Sequence, residues 1–259
     1  MSANEIILKN VSKAFGGNVV VDNLSLVVEP GRFTALIGPS GCGKTTIVGL
    51  IAGYDHPSGG LITINSIPVT APGRDRLVVF QESALFPWKS TLDNVIFGPL
   101  SRGVRRADAI RQATKLLERF GLSGFEHRLP EQLSGGMQRR AELARAMINS
   151  PDIMLLDEPF RGLDALTREL MQEYLLKLFD EAPITTLFVT SEIEESIYLA
   201  DRVVVLSKVP TSVKRIVAVD LPRPRDIKML TTARFADIYR EILSSLFSDE
   251  SEVISLPAR

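Results

Sequence analysis

The run Gly38-Pro39-Ser40-Gly41-Cys42-Gly43-Lys44-Thr45 contains the residue types that can hold a phosphate chain, at the spacing G-x-x-x-x-G-K-[ST]. Its glycines let backbone N–H groups converge on an anion, and a helix opening at Lys44 adds its positive end to the same spot. Lys44 would reach the β- and γ-phosphates of a nucleotide and the Thr45 hydroxyl would bind Mg²⁺, with Thr46 next in the same turn. A Gly-rich turn matching by accident is the alternative. The setting argues against it, because the run follows the strand-like "RFTALIG" and opens the helical "KTTIVGLIAG". Cys42 reads most simply as a small residue lending its N–H, although positive surroundings could lower its thiol pKa and make it alkylatable.

Two further stretches carry chemistry. In "IMLLDEP" four apolar residues read as a strand buried on both faces, with Asp157 at its carboxyl end and Pro159 terminating it. Asp157 would hold Mg²⁺ through its water shell, while Glu158 would polarise a hydrolytic water. The plainer reading is a pair of solvated acids. "LSGGMQ", Leu133 to Gln138, is a second small-residue turn at a helix start, and the following helix sets Met137, Ala141, Ala144 and Ile148 on one face. One compact chain has little use for two anion cradles unless the second serves a neighbour's nucleotide.

These segments need a scaffold that presents strand ends together. Residues 1 to about 30 read as strands and hairpins, and from about Leu85 to Ser150 helical spacing dominates. Then "DIMLLD" and "TTLFVT" flank a helix beginning near Leu163, followed by "RVVVL" and "RIVAVDL". This alternation predicts an α/β fold with a mixed sheet, an N-terminal antiparallel β-subdomain and an inserted helical subdomain at about 85–150, within a domain spanning 1–220. Residues 221–259 read as a short helical tail with an acidic, loose end.

Composition narrows the class. A net charge of −1 and only short basic clusters, such as Arg102 to Arg106, disfavour nucleic-acid binding. The single cysteine rules out an internal disulfide. With no apolar stretch near the roughly 20 residues that span a bilayer, and no signal-like start, a soluble intracellular chain is expected. Membrane work would need separate subunits.

The three segments, in this order, resemble the ATP-binding subunits of ABC transporters over residues 5 to 210. The resemblance implies a P-loop NTPase of the ABC type, with nucleotide bound by Gly38, Pro39, Ser40, Gly41, Cys42, Gly43, Lys44, Thr45 and Thr46. It also implies that Phe15 stacks on adenine and that Gln81 joins Thr45 and Asp157 at Mg²⁺. Two chains would then sandwich two ATP molecules, with Ser134, Gly135, Gly136 and Gln138 of each facing the other's ATP and Asp164 at the dimer interface. Residues Phe86 to Trp88 would receive a coupling helix from one of two integral membrane permeases, although Trp88 reads equally as subdomain core. "PGRDRLVVFQESALFPWKSTLDNVIFG" and "DEPFRGLDALTRELMQ" are similar to the nitrate, sulfonate and taurine importer branch, which implies a solute-binding protein and a site at the cytoplasmic face of a bacterial inner membrane.

Position 191 departs from that family, which normally has histidine after "LFVT" to contact the γ-phosphate; here Ser191 stands there. Serine is short and cannot act as a cation, so binding should survive while hydrolysis weakens. His56 and His127 lie far from this strand end in sequence. Alternatively, hydrolysis proceeds on Glu158 alone, or the chain pairs with a different ATPase subunit in a partly degenerate heterodimer. A soluble, non-transport ABC ATPase is a further alternative. Arg161 replaces a usually small residue and could engage phosphate, an acidic partner or only water.

Overall fold

The computed structural model describes residues 4–248. The chain opens with β1 (Ile6–Phe15) and β2 (Asn18–Val28), continues through β3 (Phe33–Ile37) and α1 (Lys44–Ala52), and then forms β4 (Gly59–Ile64), β5 (Ile67–Pro68) and β6 (Arg76–Val79). Four helices follow, α2 (Thr91–Val95), α3 (Phe97–Ser101), α4 (Arg106–Arg119) and α5 (Gly135–Met147). The chain then alternates β7 (Ile153–Asp157), α6 (Ala165–Glu181), β8 (Thr185–Val189), α7 (Ile193–Leu199) and β9 (Arg202–Leu206), before β10 (Val213–Ala218) and α8 (Ala233–Phe247).

Two sheets result. The first is antiparallel, in the order β2-β1-β4-β5, and buries Ile6, Leu8 and Val11 from β1 against α1 residues such as Ile47 and Ile51. The second runs β10-β9-β3-β8-β7-β6, with every pair parallel except β9 and β10. Strands β3, β7 and β8 are buried at every position, as expected where both faces of a sheet are covered.

Register explains how distant motifs meet. Leu36 pairs with Val189 and Asp157 also pairs with Val189, while Val79 pairs with Leu156. The carboxyl ends of β3, β8, β7 and β6 therefore share one edge of the sheet. The turns that leave them carry the Gly38–Thr45 run, Ser191, Glu158 and Gln81. In an open parallel sheet that edge is where ligands are held.

Helices α2 to α5 lie in the chain between β6 and β7. Helix α4 turns Ala109, Ala113 and Leu117 inward, one residue every four positions, into the same core as the six-stranded sheet. After residue 220, α8 buries Phe235, Ile238 and Ile242 in that core too, so it is a packed part of the main body. The acidic end expected beyond it falls on residues 249–259, outside the described ones. Among the described residues no helix is long and apolar enough to cross a membrane.

Candidate functional site

Strand β3 delivers the chain to Gly38, where the backbone is hemmed in: a Cβ there would lie 2.9 Å from the Cys42 sulfur and 3.0 Å from Leu206 Cβ. The loop closes at Gly43, with φ 96° and no side-chain cap, so the first turn of α1 keeps its N–H groups facing outward. No acidic residue occupies that turn. Lys44 folds back over the loop and donates from Nζ to the carbonyls of Gly38 at 2.9 Å and Pro39 at 3.0 Å. Its ammonium is thereby held at the centre of the turn.

Asp157 ends β7 and is only 2% exposed. Burial pushes its carboxyl pKa up, a hydrogen bond from the Thr45 side chain and the Lys44 charge pull it down, and the neighbouring Glu158 pushes it up again. Oδ1 of Asp157 is buried without a hydrogen-bond partner. A buried anionic oxygen left unpaired beside a threonine hydroxyl suits a hard divalent cation that takes few protein ligands and otherwise binds water and phosphate. The residues thus fit Mg²⁺, with Thr45 and Asp157 adjacent and Gln81 on the same pocket.

Glu158 follows in a left-handed conformation, φ 44°, with its N–H donating to Val189 O at 2.9 Å. A bulky residue held at positive φ next to a strand end is costly and is concentrated at functional sites. Glu158 lines a pocket of ≈ 290 Å³ together with Val20, Ser40, Gly41, Gly43, Lys44, Thr45, Thr46, Gln81 and Arg161. The structure therefore gathers most of the expected phosphate-site residues. Phe15 lies off this pocket, 47% exposed at the end of β1 with the Lys13 ammonium 4.8 Å from its ring centroid.

Ser191 lines a neighbouring pocket of ≈ 70 Å³, which it shares with Glu158, Phe160, Arg161, Gly162, Arg168, Thr190, Glu192 and Glu195. His56 and His127 are exposed and line neither pocket. Asp164 caps α6, accepting from the Thr167 N–H at 3.0 Å, and that contact lowers its carboxyl pKa. Ser134 caps α5 in the same way, accepting from Met137 N–H at 3.3 Å. Gly135 is exposed and Gly136 half-buried, and a Cβ on Gly136 would meet Thr167 at 2.8 Å. The Gln138 amide donates to the carbonyls of Pro130 at 2.9 Å and Leu133 at 3.3 Å, so it braces its own loop.

The alternative reading of Cys42, an alkylatable thiol of lowered pKa, does not hold. Cys42 is 1% exposed, and burial raises its thiol pKa although Lys44 opposes the shift. Desolvation outweighs the local positive charge, so the thiol is neither acidic nor accessible. Trp88, left open between core and surface, is 73% exposed. Nearby, Phe86 and Phe97 line a groove of ≈ 260 Å³ with Leu77, Phe80, Glu142, Arg145 and Asn149 among others.

Two supports escaped the sequence reading. Arg139 and Glu142 form a buried ion pair at 2.7 Å on α5. Arg139 also donates to the carbonyls of Phe80 and Gln81, and Glu142 accepts from the Ala84 N–H, so the pair fixes the Gln81 segment. Glu195 is buried behind Ser191 and accepts from Thr190 Oγ1 and Gln172 Nε2, fixing that strand end. The only local signal was the Arg-x-x-Glu spacing on a helix, which does not announce partners some 58 residues away.

The family profile described as ABC transporter matches residues 21–161. The chain is 44% identical over 247 residues to an uncharacterized ABC transporter ATP-binding protein of Methanocaldococcus jannaschii, covering 94% of this chain and 91% of that one. It is 37% identical over 258 residues to a taurine import ATP-binding protein of Jannaschia sp., covering 96% of each. Among solved structures, the dimeric structure of a bacterial ABC transporter cassette superposes with a TM-score of 0.75 at 31% identity, covering 84% of this chain and all of the other. A post-hydrolysis dimer of the same cassette, bound to ADP and Pi, gives a TM-score of 0.74 at the same identity and coverage.

Proposed function

Because this chain belongs to the ABC transporter family of ATP-binding proteins, we propose that it is the ATP-hydrolysing subunit of an importer that takes up a small anion or sulfonate-type solute through separate membrane subunits. The observation that carries the reading is the single pocket in which Lys44, Thr45, Gln81 and Glu158 converge beside the buried, unpaired Oδ1 of Asp157. The taurine import relative supports the solute class.

In this mechanism Lys44 exchanges the carbonyls of Gly38 and Pro39 for β- and γ-phosphate oxygens, and the outward N–H groups at the start of α1 bind the same phosphates. Phe15, exposed at the end of β1, stacks on the adenine. Glu158 takes the proton of the attacking water. Thr45, Asp157 and Gln81 would hold Mg²⁺, which neutralises phosphate charge when bound. Ser134, Gly135 and Gly136 of a second chain close over the nucleotide, with Gln138 behind them and Asp164 at the seam. The two chains work at the cytoplasmic face of a bacterial inner membrane, where Trp88 and the groove beside Phe86 receive a helix from each of two permeases. A solute-binding protein delivers the cargo.

Ser191 favours a second reading, in which the chain pairs with a different ATPase subunit and forms one weakened site of a heterodimer. Co-expression with candidate permease chains, purification and reconstitution into proteoliposomes test both. Two co-purifying membrane chains and ATPase stimulated by taurine, another sulfonate or nitrate are expected. A second, non-identical ATPase chain in the complex would select the heterodimer, and the absence of any membrane chain would remove the transport reading.

A further inference from the structure

The connection from β7 to α6 carries a cation that neither phosphate cradle requires. Arg161 donates from Nη1 to Oε2 of Glu158 at 2.9 Å. The backbone imposes this closeness, because the Arg161 N–H donates to the Glu158 carbonyl at 3.2 Å and makes residues 158–161 a tight turn. Gly162 follows at φ 77°, a conformation that glycine adopts without strain. The Arg161 side chain is 63% exposed and that of Glu158 only 13%. The guanidinium therefore reaches the carboxylate from the solvent side, in a pair open enough to water to be weak. Among the described residues this is the one hydrogen bond that the Arg161 side chain makes. Arg161 also lines both pockets, the one with Lys44 and Thr45 and the one with Ser191.

We infer that Arg161 binds the terminal phosphate of the nucleoside triphosphate and is parked on Glu158 until that phosphate arrives. The γ-phosphate carries more negative charge than a single carboxylate, and the planar guanidinium can grip two of its oxygens at once. The exchange releases the Glu158 carboxylate from its guanidinium partner only when a γ-phosphate is present. A diphosphate has no γ-phosphate, so it leaves the pair closed. The same movement brings a positive charge to the side of the pocket where Ser191 offers none. This inference rests on the reading of Gly38–Thr45 as the nucleotide site.

The test measures binding of ADP and of the non-hydrolysable imido analogue of ATP to the full-length chain by calorimetry. Arg161→Ala and Arg161→Lys are compared in the natural background and in Glu158→Gln, and Lys44→Ala serves as control. Loss of a charge-assisted phosphate contact predicts a fall of about tenfold in triphosphate affinity for Arg161→Ala, with ADP affinity unchanged and partial recovery in Arg161→Lys. The fall must persist in the Glu158→Gln background, where there is no carboxylate to unmask. A fall confined to the natural background would mean that Arg161 only neutralises Glu158, and would overturn the proposal. Equal losses for ADP and the analogue would make Arg161 a structural residue, and unchanged affinities would leave it no contact with phosphate. Either result also overturns the proposal. If Lys44→Ala changes neither affinity, the nucleotide-site reading itself has failed, which is a distinguishable outcome.

Discussion

The guanidinium of Arg161 stands 2.9 Å from the carboxylate of Glu158, and the turn that brings them together begins at a residue held at φ 44°. Glu158 is thus both held at positive φ and paired with a cation that reaches it from the solvent side. In the proposed mechanism the carboxylate must part from that cation before it can face a water, so substitutions at either residue of the pair test the reading.

Glu158→Gln keeps the shape of the side chain and removes the base. Turnover should fall by about 10²–10⁴-fold, the range for loss of a general base. ATP should still bind, and dimers should accumulate in its presence, as followed by size exclusion. Hydrolysis at the natural rate would move the role to another residue.

Lys44→Ala removes the ammonium that two loop carbonyls hold in place. The affinity for Mg-ATP should drop by at least about tenfold, corresponding to roughly 1.4 kcal/mol. A calorimetric titration of the folded variant checks this, and circular dichroism verifies that the loop has not unfolded the domain.

Glu142→Ala leaves Arg139 buried without its partner and releases the Ala84 N–H. Breaking one side of a buried pair costs about 3–5 kcal/mol, so the denaturation midpoint should fall clearly. Because Arg139 also holds the Gln81 carbonyl, ATPase activity should fall even where the variant remains folded. A stability change below about 1 kcal/mol would show that the pair contributes only what an exposed one does.

Cys42 should resist a thiol-alkylating reagent at neutral pH in the native chain and react once urea unfolds it. Burial has raised its pKa and closed its access. Modification of the native protein, followed by mass spectrometry, would show that the loop opens far more readily than its packing implies.

The contrast between Cys42 and its neighbours shows what a linear reading can and cannot reach. Gly38, Lys44 and Thr45 were legible because phosphate binding demands those types at fixed local spacing. Strands β3, β7 and β8 were legible because burial on both faces writes mostly apolar runs, interrupted only by Thr34, Thr185, Thr186 and the terminal Asp157. The Cys42 environment was not, because Leu206, some 160 residues away, packs around Gly38 and Cys42 and lets desolvation win over local charge. The Arg139 grip on Gln81 escaped for the same reason, and so did the pairing of Arg161 with Glu158, since three-residue spacing in a loop does not dictate which way two side chains turn.

Ser191 offers the sharpest test of how the site works. It shares its pocket with Glu158 and Arg161, and its strand end is fixed from behind by Thr190 and Glu195. An imidazole introduced there by Ser191→His would extend from an already rigid position toward the same pocket and supply a donor that serine lacks. Ser191→Ala removes only a short hydroxyl. Since 1.4 kcal/mol of transition-state stabilisation is about a tenfold rate change, the two substitutions should be asymmetric: a several-fold faster ATPase for His, little change for Ala, and ATP affinity nearly constant in both, assayed in the complete transporter. Arg161 sharpens the expectation, because a guanidinium already serving the phosphate limits what the imidazole can add. The gain from Ser191→His should therefore be larger when Arg161 is replaced by Ala. In a heterodimer a fully equipped partner site could mask these rates, so the measurements are repeated with the partner's catalytic glutamate replaced. Abolished turnover in Ala with no gain in His would assign catalysis to the serine hydroxyl itself. No gain in His even without Arg161 would mean that the pocket has been rebuilt around serine.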